Sequence, residues 1–209
     1  MEDKQNQYLN VTNWYEGDYL NGKFHGYGIS RYPDGSKYEG QWKNGEKNGK
    51  GKLFSPNGDE YEGEFKDGFF HGKGKCRYID GTEYIGEFIF GEYSGRGMHT
   101  YLDGSKYEGE FKNGQPHGKG FFIKPDGTKY NGEFDFGNFC GKGKNSFPDG
   151  TTYDGQFNDG KPEGEGILIL PSGGKLVGEF KELNPWNAKE FNSKGVLIFE
   201  YINGEIRKV

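Results

Sequence analysis

Long apolar runs are missing from this chain. No window holds the 18 or so consecutive apolar residues of a membrane-spanning helix, and the opening MEDKQNQYLN has no apolar core, so a secretory leader is not expected. Cysteine is nearly absent: Cys76 and Cys140 are the only two in 209 residues. Aliphatic residues are few and mean hydropathy is −1.01, values that taken alone lean toward disorder. Neither sign of charge dominates, with 27 Lys and Arg against 32 Asp and Glu, a net of −5. The acidic balance argues against generic nucleic-acid binding. Apolar residues at helical spacing are also lacking, which removes the amphipathic-helix class.

What the chain has instead is glycine and rings. Glycine occurs 39 times and aromatics make up 17% of the sequence, and both stand in phase. Tyr15, Tyr38, Tyr61, Tyr84, Tyr107, Tyr130 and Tyr153 are each 23 residues apart, and Leu176 fills the next slot. Two residues after each comes a glycine, as in Gly63 after Tyr61, and four after comes Tyr19, Trp42 or a phenylalanine, as in Phe65. A G-x-G pair follows at fixed phase, from Gly26/Gly28 to Gly164/Gly166. A period of this length means a stacked array of short units and not a compact globule.

The phrase Y-x-G-x-[FW]-x-x-G-x-x-x-G-x-G followed by D-G, seven times over residues 15–175, resembles the MORN repeat, the membrane occupation and recognition nexus. The resemblance implies an all-β fold of stacked hairpins. It also implies scaffold roles in ciliary, cytoskeletal or membrane-junction assemblies, or binding to membranes.

Each unit reads as a β-hairpin. The first strand is Y-E-G-E-F; the hairpin turn is Asn21-Gly22, Asn44-Gly45, Asp67-Gly68, Asn113-Gly114 or Asp159-Gly160, pairs suited to positive φ. Phe90-Gly91 and Phe136-Gly137 depart from that pattern. A second turn, such as Pro33-Asp34-Gly35 or Pro125-Asp126-Gly127, closes the unit. Strand alternation puts Tyr61, Gly63 and Phe65 on one face and Glu62 and Glu64 on the other. It also predicts Gly72 and Gly74 on one face, bare backbone for a neighbouring ring to cover, with Lys73 and Lys75 opposite, beside the acids of the first strand. The expected fold is therefore an elongated, twisted, single-layer antiparallel sheet. Its parts are a loose arm at 1–13, an array at 14–181 (seven full units and a partial eighth), and a C-terminal cap at 182–209, where the period fails. A docking patch is the rival reading of 182–209.

Chemistry is sparse. His25, His71 and His117 share a phase, but two units separate neighbours, about 20 Å by strand spacing, whereas zinc bonds are near 2 Å; no metal is expected, and no cofactor. Cys76 and Cys140, three units apart at about 30 Å, are beyond disulfide reach, which with the missing leader suggests a cytosolic setting. The G-x-G pairs open no helix, so they are not phosphate loops, and the D-G aspartates are turn formers. No catalytic motif is present.

The expected function is a non-enzymatic scaffold that takes an extended or helical peptide of a partner protein along its ring-bearing face. Tyr32, Tyr78, Tyr101 and Phe147 share one phase at the ends of second strands and are the candidate contacts. Trp14 and Trp186 are further candidates, Trp14 reading also as a cap over the first hairpin. The alternative is a peripheral membrane module, with Lys47, Lys50, Lys52, Lys142 and Lys144 meeting anionic headgroups.

Overall fold

The computed structural model describes residues 14–209; the arm expected at 1–13 lies outside them. All regular structure among the described residues is β. First strands are β1 (Trp14–Leu20), β3 (Lys37–Lys43), β5 (Glu60–Lys66), β7 (Glu83–Ile89), β9 (Lys106–Lys112), β11 (Lys129–Asp135), β13 (Thr152–Asn158), β15 (Lys175–Lys181) and β17 (Leu197–Ile202). Their hairpin mates are β2 (Lys23–Arg31), β4 (Glu46–Phe54), β6 (Phe69–Arg77), β8 (Glu92–Thr100), β10 (Gln115–Ile123), β12 (Asn138–Ser146), β14 (Lys161–Ile169), β16 (Asn184–Phe191) and β18 (Glu205–Lys208). One antiparallel, unclosed sheet contains them. Two compact units divide the chain, Met1–Leu102 and Asp103–Val209. In each unit every strand pairs with the next in sequence.

Every hairpin turn places both central residues at positive φ, for example Asn21 at 51° and Gly22 at 75°. This matches the right-handed twist of the flanking strands. Phe90 (49°) and Phe136 (42°) adopt the same conformation, so the units that depart in sequence do not depart in structure. The second turn is closed by Gly35 N–H donating to the Tyr32 carbonyl at 2.9 Å, while Asp34 Oδ1 accepts from Ser36 N at 2.8 Å.

The G-x-G pair departs from simple alternation. On β6, Gly74 faces Gly63, but Glu64 faces His71, so Gly72 and Lys73 bulge out of the ladder. The two glycines therefore do different work. Gly72 takes the left-handed conformation, φ 61°, and an added Cβ would meet the Glu64 carboxylate 2.7 Å away. Gly74 is extended and lies under the Tyr61 ring, where an added Cβ would meet the phenol. Strict period-two counting had put both under rings; the bulge breaks that count. The residue three after the Tyr closes the bulge. Gln41 Oε1 accepts from Lys50 N at 2.8 Å and Glu64 Oε1 from Lys73 N at 3.3 Å. Glu64 is thus a backbone acceptor more than half of a Glu–Lys pair, whereas Glu62 does meet Lys52 at 3.0 Å.

The core is a row of interlocked rings. Tyr38, Tyr61, Tyr84, Tyr107, Tyr130 and Tyr153 are each at most 2% exposed. Each hydroxyl donates to the carbonyl of the residue three ahead, Tyr61 to Glu64 O at 2.7 Å and Tyr38 to Gln41 O at 2.8 Å. This carbonyl sits at the bulge, which is why Tyr and not Phe holds the slot. Phe65 meets Tyr61 edge-on at 5.0 Å and the preceding Tyr38 at 5.0 Å, and Phe157 meets Tyr153 and Tyr130 in the same way. Edge-to-face pairs add about 0.5–1.5 kcal/mol beyond burial, and these pairs join one repeat to the next.

Hairpins continue past residue 181. β15 and β16 pair with Gly178 opposite Ala188, and only Trp186 is extra in the bulge. Leu176 replaces the Tyr here; with no phenol to seat, an alanine methyl is tolerated where the other units have glycine. β17 and β18 form one further hairpin.

Candidate functional site

The buried Tyr and Phe rows leave outer rows on the same face. One begins nine residues after each Tyr. In the first unit it holds Phe24, Lys47, Phe70 and Tyr93; in the second, Pro116, Phe139, Pro162 and Pro185. Phe70 stacks on Tyr61 at 3.8 Å with the planes 8° apart, and Tyr93 on Tyr84 at 3.6 Å and 7°. Lys47 takes the slot as a cation, 5.5 Å from the Tyr38 ring centre and 5.1 Å from that of Tyr32. All eight are half-buried. Sequence reasoning missed this row because Phe, Lys, Tyr and Pro share no class; the shared phase was the available signal.

The candidate row Tyr32, Tyr78, Tyr101 and Phe147 is half-buried. Tyr78 reaches the stacking row, its hydroxyl 2.6 Å from that of Tyr93. His99 bridges Tyr93 (5.7 Å) and Tyr101 (4.2 Å, edge-on). Tyr78, Tyr93, His99 and Tyr101 thus form a connected surface of rings in the first unit, and Phe70 joins it through the buried Phe88, 5.9 Å from Phe70 and 5.5 Å from Tyr93. Burial pushes the Tyr78 phenol up to about 12 and the Cys76 thiol beneath it up to about 11. Burial also lowers the pKa of His99 and of Lys47. No carboxylate stands in the slots nine, fifteen or seventeen residues after the tyrosines of this unit. The slots are therefore mostly apolar, with carboxylates beside them and not in them: Asp34 and Glu46 act on Lys47, Asp59 on Tyr78 and Asp80 on His99.

Trp14 is 46% exposed on β1, with the Arg31 guanidinium 6.0 Å from its ring. Trp186 lies in the β16 bulge under the Lys181 ammonium, 3.6 Å from the ring centre. The five lysines do not gather. Lys47 is on the ring face; Lys50 and Lys52 are opposite it, in a groove of about 820 Å³ that they share with Glu39, Glu62 and Glu64. Lys142 and Lys144 belong to the second unit, facing Gln156 and Asp154. Among the described residues no three His, Cys, Asp or Glu are grouped to hold a metal ion, and no helix is long and apolar enough to cross a membrane.

No curated protein matches the chain. Among solved structures it is similar to the TCP domain of Drosophila melanogaster SAS-4 (dCPAP), in complex with a proline rich motif of Ana2. That match has 14% identity and a TM-score of 0.47, over 77% of this chain and 85% of that one. The TCP10 domain of Danio rerio CPAP matches at 13% identity and TM-score 0.37, over 91% and 95%. Scores and identities this low assign neither fold nor partner. The MORN repeat model, by contrast, matches seven consecutive segments, 15–37, 38–60, 61–83, 84–106, 107–129, 130–152 and 153–175. With that unbroken run over most of its length, the chain belongs to the MORN repeat family.

Proposed function

We propose that this protein is a non-enzymatic scaffold that binds a peptide segment of a partner protein on its ring face. The observation that carries this reading is the connected surface of half-buried rings from Phe70 to Tyr101, seated on a fully buried layer. Apolar surface of this kind, left uncovered by any second layer of described residues, marks recognition sites. The assembly in this reading is a cytoplasmic one at cytoskeletal or ciliary structures or membrane junctions, and membership in the MORN repeat family supports it. Tyr32, Tyr78, Tyr101 and Phe147 are the proposed contacts, Trp14 and Trp186 outlying ones.

Affinity purification of the full chain from its own cells, beside a Tyr78→Ser/Tyr101→Lys variant, tests the reading. Both replacements occupy the same slot natively, as Ser55 and Lys124, so the fold is expected to persist. A partner set retained by the wild type and lost by the variant is the expected result. Identical partners, or retention only on anionic vesicles, contradicts it.

A further inference from the structure

We infer that the segment taken by the ring face of the first unit is an uncharged chain in the polyproline II conformation, running across the strands. This rests on the scaffold reading above and specifies its partner. The argument is one of pitch. Equivalent rings on successive repeats are two strands apart, about 9.5 Å. A polyproline II helix advances about 9.3 Å in three residues and returns to the same orientation, so every third residue presents the same edge to each repeat. An α-helix covers that distance in about six residues and ends roughly a quarter-turn out of phase, so its contacts rotate off the face. An extended strand covers it in about three residues but alternates sides, presenting opposite faces to successive repeats.

Charge and shape agree with the pitch. The rows hold no carboxylate, and their basic side chains already have acidic neighbours, Asp34 and Glu46 for Lys47 and Asp80 for His99, so a charged segment finds no free counter-charge in the rows. In the second unit the slot that Phe70 and Tyr93 fill by stacking is held by Pro116, nine residues after Tyr107, and by Pro162, nine after Tyr153. Aromatic surfaces favour such a chain because it is already ordered when free.

Fluorescence anisotropy with labelled oligoproline peptides, lengthened one residue at a time, tests this on the full chain. Affinity is expected to rise in steps at each completed triplet, and to fall by about tenfold or more in Phe70→Lys/Tyr93→Lys, whose replacements mirror native Lys47. Tyr78→Ser/Tyr101→Lys is a second variant should the first fail to fold by circular dichroism. No oligoproline binding, a smooth length dependence, or binding untouched by both variants overturns the assignment. An amphipathic helical peptide of matched length separates the two proposals. If it binds the wild type and not the variants while oligoproline does not bind, the polyproline assignment falls and the scaffold reading stands.

Discussion

Leu183 occupies the slot that glycine fills in the other hairpin turns, and it holds φ 70° there, after Glu182 at 50°. A side chain in the left-handed region costs about 1–2 kcal/mol. Leu183→Gly is therefore expected to stabilise the protein by about 1 kcal/mol, a rise of roughly 2–4 °C in Tm at this size, read by calorimetry. An unchanged or lowered Tm means that the Leu183 side chain contributes more than its backbone costs. The turn aspartates give a second residue-scale expectation. Hydrogen bonds from Ser36, Thr82, Ser105 and Thr128 hold Asp34, Asp80, Asp103 and Asp126 below the usual carboxylate range. A depressed folded pKa adds stability that is present above the unfolded value, about 4, and lost as pH falls through the folded values. Asp126→Asn, which keeps the turn's acceptor but not its charge, should flatten the loss of Tm below about pH 4; an unaltered acid limb contradicts this.

At the scale of the hairpin, strand positions, both turns and the ring face were legible in the sequence, because D-G, N-G and Y-x-G-x-F each have one local solution. The bulge was not. Counting by twos assigns Gly72 and Gly74 one role, and only the register, Glu64 opposite His71, separates them. The stacking row was hidden because Phe70, Lys47 and Pro116 share a slot in the repeat but no chemical class. The last hairpin, β17 and β18, was legible as a strand, an Asn203-Gly204 turn and a short return, but β16 was hidden for a related reason: Leu176 removes the need for glycine, so Ala188 no longer signals the repeat. Glu64→Ala should leave Lys73 N–H without its acceptor and cost about 0.5–1.5 kcal/mol. Denaturant titration reads this, and a loss no larger than that from exposed Glu62→Ala argues against the bulge role.

Over the whole molecule, one lock is repeated along the chain, a tyrosine laid on paired glycines with its hydroxyl on the bulge carbonyl. Burial raises the phenols of Tyr38, Tyr61, Tyr84, Tyr130 and Tyr153, the last to about 12. A raised folded pKa gives stability that is complete below the unfolded value of about 10 and lost as pH climbs past it. Near-ultraviolet titration should show the exposed tyrosines ionising first and the core set only on unfolding. A single smooth titration of all 15 tyrosines is the contrary result. The most direct measurement is a double-mutant cycle on Tyr61 and Gly74, built on the native Leu176–Ala188 precedent. Gly74→Ala alone should cost about 2 kcal/mol or more, as overpacking does, and under about 1 kcal/mol in a Tyr61→Leu background, a coupling within the range of contacting residues. Additive losses across the cycle would mean that the ring does not rest on the glycine.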